Sequence, residues 1–452
     1  MPLLPLVSHV SPDSIVAWRA EGAVTLNQFL GEVDHLAALL PAGSHLLNMC
    51  DDRYRFSVGL AAAIVSGKVT LLPPAHTPEV LRQIKDYAPD VFCLTDNQAG
   101  DPSAVDMPLL RYPAMPLAPA LPHSAIPQID SGQRIAVLFT SGSTGRPQPH
   151  EKTWGAMVES MQAEASRLGL LHSTPCNIVG TMPPQHMYGF EFTVLLAWQS
   201  GNALSHAHPF YPADICLALS AVPAPRVLAS TPIHLRAMQE SELALPEIAY
   251  IVSATAPLSS KLAQDIESRC QAPLMEVYGS TETGVIATRR TTQTAAWHLL
   301  PGIRLVVEND CVRASGGHIA SAITMNDVIE LLPGERFLLH GRLADLVNIA
   351  GKRNSLANLN HILNTIPGVE DGVFFMPDED EANRITRLAA CVVAPRMDAP
   401  RLLAALRQHI DPVFLPRPLL FVDKLPRNST GKLPRAELQA LFGPHGPGRR
   451  KA

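Results

Sequence analysis

The chain has 452 residues, 46% of them hydrophobic, and its 36 basic and 41 acidic side chains give a net charge of −5. This length exceeds a single core and predicts two or three domains, while the lack of a basic excess argues against nucleic-acid binding. The seven cysteines lack zinc-site spacing, apolar runs stop short of the ~18 residues of a membrane span, and the first ten residues do not resemble a signal peptide. We therefore expect a cytoplasmic protein with reduced thiols.

Strand and helix patterns alternate along the first 280 residues. They predict, in chain order, a strand at 69–74, a helix at 77–89 with Val80, Leu81, Ile84 and Tyr87 on one face, a strand at 91–96, a strand within 247–257, a helix at 258–270 and a strand within 272–284. Strand, helix and strand at this spacing predict parallel sheets covered by helices, an α/β fold.

Three polar loops each follow an apolar run, at 140–145, 253–257 and 279–284. In parallel sheets, ligands bind at the carboxyl ends of the strands, where such loops and the helix N-termini lie. We therefore expect the three loops to converge on one site.

The first of these loops, within the segment FTSGSTGRP (139–147), combines glycines with serine and threonine. Glycine lets backbone N–H groups approach an anion closely and hydroxyl groups add donors, so the segment predicts a phosphate-binding loop. It is not a Walker A motif, because the three Gly-Lys pairs of the chain lack the upstream glycine. A plain surface turn is the alternative for this loop taken alone.

Six segments, in order, resemble the motifs of the adenylate-forming superfamily, which comprises acyl- and aryl-CoA synthetases, adenylation domains and luciferases. They are FTSGSTGRPQP (139–149), PPQHMYGFE (183–191), SATAPLS (253–259), YGSTETG (278–284), NDVIELLPGERFLLHGRLADLVNIAGKR (326–353) and LPRNSTGKLPR (425–435). One such match is weak, but six in the order of the family are specific.

The resemblance implies a reaction in two steps that uses ATP and Mg²⁺. A carboxylate attacks the α-phosphate of ATP, which gives an acyl-adenylate and pyrophosphate, and a thiol then attacks this mixed anhydride. Because both partners of the first step are anions, the site has to supply positive charge and oriented donors.

The resemblance also implies which residues bind the nucleotide. Contacts with its phosphates and adenine fall to Thr140, Ser141, Gly142, Ser143, Thr144, Gly145, Ser253, Ala254, Thr255, Gly279 and Ser280. Tyr278 would stack on adenine, with an ordinary core position as the alternative. Asp327 would accept hydrogen bonds from the ribose hydroxyls with the help of Arg342. The alternative for Asp327 is an ordinary turn residue.

The catalytic residues implied by the resemblance are Thr281, Glu282 and Lys432. Thr281 would contact the α-phosphate, and Glu282 would bind Mg²⁺, a hard cation that prefers carboxylate oxygen. Lys432 would bridge the carboxylate and the α-phosphate during adenylation.

Two positions depart from the pattern of the family. Gln148 stands where a lysine is usual after the phosphate loop, which leaves Lys152 or Arg146 as sources of that charge. Ala344 stands at the first acidic position of the hinge segment, where Asp345 is the alternative. These departures keep open a non-catalytic nucleotide-binding relative.

The resemblance implies an α/β architecture with two domains. Residues 1–340 would form a large N-terminal adenylate-forming domain with parallel-rich sheets and helices. Residues 341–452 would form a small mobile α+β domain, with a hinge near 341–345. Rotation would present Lys432 for adenylation and then the loop of Gly351, Lys352 and Arg353 for thiol transfer.

The resemblance places the acid-binding pocket at His186, Tyr188, Gly189, Phe190 and Ala256, together with Thr255. Tyr188 and Phe190 would flank a flat ring, and the hydroxyl group of Tyr188 would meet a ring hydroxyl. For Tyr188 the alternative is packing beneath the loop, and for His186 it is a core or gating role.

The segments near 150 and 186 are similar to those of free-standing ligases of aryl polyene and xanthomonadin-type pigment pathways. That resemblance implies an aryl acid such as a hydroxybenzoate, and an acyl carrier protein in trans as the thiol acceptor. Coenzyme A, as in an aryl- or fatty acyl-CoA synthetase, is the alternative acceptor.

Overall fold

Residues 1–97, 107–113, 125–141, 147–171, 174–308, 311–342, 346–349, 352–376, 388–427 and 433–442 are described in the structure, a computed structural model. For several residues in these ranges only the backbone is described, among them Ser141, Arg342, Lys352 and Arg353. None of the helices in the described part of the chain combines the length and the hydropathy that a membrane crossing requires.

A six-stranded sheet, counted over the described residues, carries the phosphate-loop segment at its edge. Its strands are, across the sheet, β10 (Pro147–Thr153), β9 (Arg134–Ser141), β5 (Val69–Leu72), β4 (His45–Asn48), β6 (Phe92–Thr95) and β7 (Leu109–Arg111). Neighbouring strands run parallel except for β10, which returns antiparallel to β9.

A second sheet has eleven strands among the described residues and supplies the other predicted loops. Across the sheet these are β21 (Asp327–Leu332), β22 (Arg336–Arg342), β17 (Trp297–Leu299), β16 (Gly284–Arg289), β15 (Leu274–Ser280), β14 (Tyr250–Ser253), β13 (Arg226–Ser230), β11 (Asn177–Gly180), β12 (Ala203–Ser205), β2 (Ile15–Arg19) and β3 (Gly22–Thr25). The six strands from β15 to β2 are parallel, which confirms the predicted parallel-rich α/β fold.

Helices lie on both sides of these sheets. They are α1 (Leu26–Leu39), α2 (Arg53–Val65), α3 (Pro78–Tyr87), α4 (Trp154–Arg167), α5 (Met187–Phe190), a π-helical turn (Glu191–Leu195), α6 (Leu196–Ser200), α7 (Pro212–Ser220), α8 (Pro232–Glu240) and α9 (Ser260–Cys270). Two small sheets, β1 (Leu3–Pro5) with β8 (Gln128–Asp130), and β18 (Arg304–Glu308), β19 (Cys311–Gly316) and β20 (Ile319–Met325), complete this part.

Strand residues alternate between separate cores, which defines the layers. In β4, Leu46 faces the central core between the two sheets, whereas Leu47 faces the core under α3. In β14, Val252 faces the central core, whereas Ile251 faces the core under α7 to α9. Because successive side chains of a strand point to opposite faces, each sheet is covered on both sides. The order is therefore α3, six-stranded sheet, central helices, eleven-stranded sheet, and α7 to α9.

The helix predicted at 77–89 shows how far the apolar pattern holds. Leu81 and Ile84 are buried and Val80 is half-buried, as the pattern predicts. Tyr87 is exposed instead, although the edge of its ring still contacts Phe139, because it lies on the last turn of α3.

From residue 346 onward the chain forms two cores of its own. The elements are β23 (Leu346–Ile349), β24 (Lys352–Ser355), α10 (Leu356–Thr365), β25 (Asp371–Phe375), β26 (Ala389–Val393), α11 (Ala399–Leu406), a 3₁₀ turn (Pro412–Phe414), β27 (Leu419–Phe421) and α12 (Arg435–Phe442). The sheet of β25, β26 and β27 carries α10 and α11 on one face and α12 on the other. This α+β unit matches the predicted small C-terminal domain in fold class.

The two units contact each other through an ionic cluster. Arg236 of α8 donates to the carbonyl oxygen of Glu370 at 2.7 Å and lies 3.8 Å from the carboxylate of Asp371. Asp371 also accepts two hydrogen bonds from Arg427, at 2.8 and 2.9 Å. One carboxylate thus connects the large unit with the segment that leads towards Lys432.

A fully buried guanidinium group, that of Arg53, connects the ends of two strands. Asp52 caps α2 by accepting from the backbone N–H of Arg55, which places Arg53 at the first turn. The guanidinium donates to the carbonyl oxygens of Gly180, Met182, Ser205 and Ala207, beyond or at the ends of β11 and β12. Burial lowers its pKa to about 10, so Arg53 remains charged at neutral pH.

We predict that Arg53→Met lowers the free energy of unfolding by about 3 kcal/mol or more, because several buried carbonyl groups lose their donor at once. Arg82→Met is the control, since Arg82 is 58% exposed and its ion pair with the equally exposed Glu79 lies at the surface, where about 1 kcal/mol or less is expected. Urea unfolding followed by tryptophan fluorescence measures both. Equal losses in the two variants would contradict the role given to Arg53.

Candidate active site

The predicted polar loops lie at the ends of strands in both large sheets. Thr140 and Ser141 end β9, Ser253 ends β14 and Ser280 ends β15. β14 and β15 are parallel neighbours, so the loops at 253–257 and 279–284 leave the same edge of the eleven-stranded sheet. The phosphate-loop hairpin, formed by β9 and β10, belongs to the six-stranded sheet and contacts the loop at 279–284.

His150 joins the phosphate-loop hairpin to the loop at 279–284. Its Nε2 atom lies 2.9 Å from the hydroxyl oxygen of Thr140 and 3.5 Å from Oε1 of Glu282. Burial lowers the pKa of His150, which favours a neutral imidazole that can hydrogen-bond to Thr140. Two loops that are 132–142 residues apart in the chain therefore meet at one imidazole, as convergence of the polar loops predicts.

Lys152 lies two residues further along β10, on the same face as His150. The residue is only 8% exposed, and its ammonium group donates to the carbonyl oxygens of Thr281, at 2.6 Å, and of Glu282, at 3.4 Å. Of the two alternative sources of charge, Arg146 lies outside the described residues. Lys152 places a positive charge beside the loop at 279–284, on the side of the loop that faces the interior of the protein.

Glu282 presents an accessible carboxylate, 41% exposed, at the edge of this cluster. Desolvation by itself would raise its pKa, but the hydroxyl group of Ser280, its own backbone N–H, His150 and Lys152 outweigh this and lower the pKa. The carboxylate is therefore anionic at neutral pH. An anionic oxygen donor fits Mg²⁺, which is usually bound through one or two carboxylates and the phosphates of a substrate.

No group of three or more histidine, cysteine or acidic side chains in the described ranges is placed to hold a metal ion by itself. A magnesium site at Glu282 would therefore depend on the phosphate oxygens of ATP for its remaining ligands. Thr281, half-buried beside it, and Thr140 are the neighbouring hydroxyl groups.

The loop at 279–284 is a tight turn that excludes side chains at its base. The hydroxyl groups of Ser280 and Thr283 hydrogen-bond to each other's backbone N–H groups, at 3.0 and 3.2 Å. A Cβ atom on Gly279 would lie 2.1 Å from the carbonyl oxygen of Gly284, and Gly284 itself has a φ of +66°. Both glycines are thus required by the backbone path rather than by a ligand.

The loop at 253–257 contains a strained residue. Thr255 is exposed and has a φ of +78°, a conformation that a β-branched side chain rarely adopts. Such strain typically costs about 1–3 kcal/mol and occurs mainly at functional sites. Of its neighbours, Ser253 is buried, whereas Ala254 and Ala256 are half-buried.

Thr255 and Ala256 also line a cleft of about 520 Å³ between the two units of the chain. The opposite wall of this cleft comes from α10 and β25, including Leu356, His361 and Phe374. The loop at 253–257 thus faces the C-terminal unit.

Tyr278 packs in an aromatic cluster next to the loop at 279–284. Its ring centroid lies 5.4 Å from that of Trp297 and 5.6 Å from that of Phe337, and the side chain is half-buried. This cluster fixes the plane of the tyrosine ring. Both the predicted stacking role and the core alternative are compatible with that position.

Asp327 and Arg342 are cross-strand partners. Asp327 begins β21 and Arg342 ends β22, and the register pairs the two residues directly. The half-buried side chain of Asp327 follows Met325 and Asn326 at the edge of the sheet. The sequence therefore predicted two residues that the fold brings together across 15 positions.

The predicted acid pocket lies beyond β11, where its backbone is tightly packed. A Cβ atom on Gly189 would lie 2.0 Å from the carbonyl oxygen of Pro183, so only glycine fits. Phe190 is fully buried in the central core. His186 is half-buried at the N-terminus of α5.

The hydroxyl group of Tyr188 donates to the carbonyl oxygen of Val252 at 3.0 Å, and the side chain is only 8% exposed. This hydrogen bond favours the packing alternative for Tyr188, because the donor that was expected to read a substrate hydroxyl already has a backbone acceptor.

Several predicted site residues lie outside the described residues. They are Gly142, Ser143, Thr144, Gly145, Gly351 and Lys432, and the hinge positions 343–345 lie outside them too. Lys352 and Arg353 begin β24, the second strand of the hairpin with β23, and their backbone alone is described.

Sequence reasoning missed residues that support the site from below. Glu191 and His318 are buried beneath the loop at 279–284, and His150 contacts it directly. Nothing in their spacing marks them. The sequence offers one signal for such supporting residues. Glu191 and Lys152 are charged residues within segments that are otherwise apolar or predicted to be extended.

The chain belongs to the family of AMP-binding enzymes, whose sequence profile matches residues 9–313. A 4-coumarate–CoA ligase of Halorhodospira halophila is 30% identical over 317 residues, covering 67% of this chain and 76% of that protein. A 4-chlorobenzoate–CoA ligase of an Arthrobacter species is 23% identical, covering 68% and 66%.

Among solved structures, the o-succinylbenzoate–CoA synthetase of Bacillus subtilis in complex with its acyl-adenylate intermediate is similar in fold. The TM-score is 0.80 at 17% identity, with 97% of this chain and 99% of that chain covered. The fold is thus that of the adenylate-forming enzymes. Together with the family and the relatives, it makes this protein an AMP-forming acid–thiol ligase.

We predict that His150→Leu raises the KM for ATP roughly fivefold to tenfold, the effect of about one lost hydrogen bond to Thr140. Glu151→Gln is the matched control, because this next residue of β10 points away and forms an exposed pair with Arg134. Its KM should stay within about twofold of wild type. Steady-state kinetics of pyrophosphate release measures both, and similar values for the two variants would contradict the role of His150.

Proposed function

We propose that this ligase adenylates an aryl carboxylic acid, with a hydroxybenzoate as the preferred substrate, and transfers the acyl group to the phosphopantetheine thiol of a separate acyl carrier protein. The observation that carries the adenylation step is the meeting of Thr140, His150 and Glu282 at the ends of strands from two sheets. The aryl class is supported by the relatives, which are named for 4-coumarate and 4-chlorobenzoate.

In the first step a carboxylate oxygen of the acid attacks the α-phosphorus, and the bond to the bridging oxygen of pyrophosphate breaks. Thr140 donates to the phosphate oxygens with Ser141, Ser143, Thr144 and the backbone of the loop, and Thr281 contacts the α-phosphate. Lys432 approaches both anions and offsets their repulsion. In the second step the thiol sulfur attacks the acyl carbonyl carbon, and AMP leaves.

Glu282 is the proposed ligand of Mg²⁺, which when bound neutralises phosphate charge. The residues present fit it, since the carboxylate is anionic and accessible. Asp327 with Arg342 is the proposed ribose site, and Tyr278 with the loop of Ser253, Ala254 and Thr255 the adenine site.

The acceptor thiol has two candidates. The carrier protein follows from the resemblance of the segments near 150 and 186 to ligases of pigment pathways. Coenzyme A is favoured by a separate observation, because the relatives are named as CoA ligases. A non-catalytic role is not retained, since family and relatives are enzymes.

We propose that residues 1–340 and 341–452 are two domains that rotate about a hinge near 341–345. The separate cores after residue 346 and the cleft between the units support this division. One orientation would bring Lys432 to the site, and the other the loop of Gly351, Lys352 and Arg353.

We predict that acid-dependent ATP–pyrophosphate exchange is fastest with 3- or 4-hydroxybenzoate, slower with 4-coumarate and benzoate, and slowest with octanoate. Because the hydroxyl group of Tyr188 donates to Val252, the preference requires a different polar group to pair with the ring hydroxyl. Such a group rejects analogues that lack the hydroxyl, because it then loses its partner. kcat/KM for each acid measures the preference. A preference for octanoate would replace the aryl assignment by a fatty acyl one, and product thioesters formed with CoA or with a holo-carrier protein identify the acceptor.

We predict that Lys432→Ala lowers the adenylation rate roughly 10²- to 10³-fold, a preorganised electrostatic contribution of about 3–4 kcal/mol. Transfer of the acyl group from supplied acyl-adenylate should continue, because the other domain orientation performs it. Lys424→Ala, an exposed lysine on the same segment, is the control and should leave both rates unchanged. Equal loss of both half-reactions would contradict the two-orientation mechanism.

A further inference from the structure

We propose that Lys152 is a positioning residue for nucleotide binding, whose buried ammonium group holds the backbone on both sides of Glu282 so that the carboxylate faces the phosphates of ATP. The inference rests on the proposed role of Glu282. It extends that role, because Lys152 acts through the backbone and needs no contact with the nucleotide.

The two acceptors of Lys152 are what make it a positioning residue. The carbonyl oxygen of Thr281 belongs to the peptide unit before the Cα atom of Glu282, and the carbonyl oxygen of Glu282 belongs to the unit after it. Lys152 donates to these oxygens at 2.6 and 3.4 Å. Because peptide units are planar, holding both of them fixes the direction of the Cα–Cβ bond between them.

Two more buried side chains hold the rest of the same loop. Nε2 of His318 lies 2.8 Å from the carbonyl oxygen of Thr283, and the carboxylate of Glu191 accepts from the backbone N–H of Val285. Lys152, Glu191 and His318 come from three separate elements. All three bind backbone groups, which leaves the side chain of Glu282 directed to the accessible side.

The environment of Lys152 is that of a fixed charge rather than of a mobile one. Lys152 is 8% exposed, and it interacts electrostatically with Glu191, which is also buried. Burial and the neighbouring Glu191 raise the pKa of Glu164, which accepts a hydrogen bond from the hydroxyl group of Ser160 at 2.9 Å. A buried charge persists only when it is paired and hydrogen-bonded, so the ammonium group is confined to the acceptors described here.

The placement of Lys152 differs from that of a lysine at position 148. A lysine there would extend from the exposed strand segment after the phosphate loop, since Gln148 is itself exposed. Lys152 instead lies beneath the loop that contains Glu282. The positive charge of Lys152 therefore acts on the backbone around Glu282 and not on the phosphates directly.

The test separates positioning from simple structural support. Lys152→Met leaves the carbonyl oxygens of Thr281 and Glu282 without their donor. It also removes the cation that opposes the burial-driven rise of the pKa of Glu191 to about 8, so loss of stability is expected. The double variant Lys152→Met/Glu191→Gln removes both charges and keeps an acceptor for Val285. Its melting temperature should return to within a few degrees of wild type. Glu151→Gln, on the opposite face of β10, is the control.

We expect the double variant to bind a non-hydrolysable ATP analogue with Mg²⁺ roughly 10- to 100-fold more weakly than wild type, as measured by calorimetry, because the carboxylate is no longer aimed. The KM for ATP should rise by a similar factor, while the KM for the acid stays within about twofold. Transfer from supplied acyl-adenylate should be unchanged.

Recovery of both stability and nucleotide affinity in the double variant would overturn the proposal, since Lys152 would then be only a structural partner of Glu191. An equal rise of the KM values for ATP and acid would also overturn it. If wild type shows no acid-dependent pyrophosphate exchange, the proposed function fails instead, and the binding measurement still reports on Lys152.

Discussion

The site depends on one constraint, which is that loops from two different sheets have to meet. The phosphate-loop hairpin of β9 and β10 belongs to the six-stranded sheet, whereas the loop at 279–284 follows β15 of the eleven-stranded sheet. The layer of helices between the sheets sets their separation, and α2 contacts strands of both. The buried ammonium group of Lys152, on β10, connects the hairpin directly to the loop at 279–284.

Two buried cations in this protein use the same chemistry. Arg53 and Lys152 both donate to backbone carbonyl oxygens at the ends of strands, where regular pairing stops. Carbonyl groups at strand ends lack sheet partners, and a buried carbonyl without a donor is costly. One long cationic side chain supplies several donors at once, and it fixes loops that carry no regular secondary structure.

The similarity to solved structures shows how little sequence this arrangement requires. A TM-score of 0.80 at 17% identity means that the layers persist although most side chains differ. Binary patterns of apolar residues suffice to form the layers, because cores tolerate substitution when volume and pattern are kept. The residue types expected to carry the chemistry are concentrated in short loops.

The sequence by itself determined the parallel-rich fold class, because apolar runs, helix periodicity and the strands at 69–72, 92–95 and 250–253 are local signals. It also determined the positions of the loops around Thr140, Ser253 and Glu282, since glycine and hydroxyl residues after strands mark them directly.

Only the tertiary structure decided which side chains hold those loops. His150, Glu191 and His318 lie beneath or beside the loop at 279–284 although they are distant from it in the chain. The hydroxyl group of Tyr188 donates to the carbonyl oxygen of Val252. The strain at Thr255 was equally invisible, because a positive φ follows from the path of the whole loop. The physical reason is common to all of them: a buried polar group takes its partner from whatever the packing of distant layers brings within hydrogen-bond distance, and no local pattern encodes that distance.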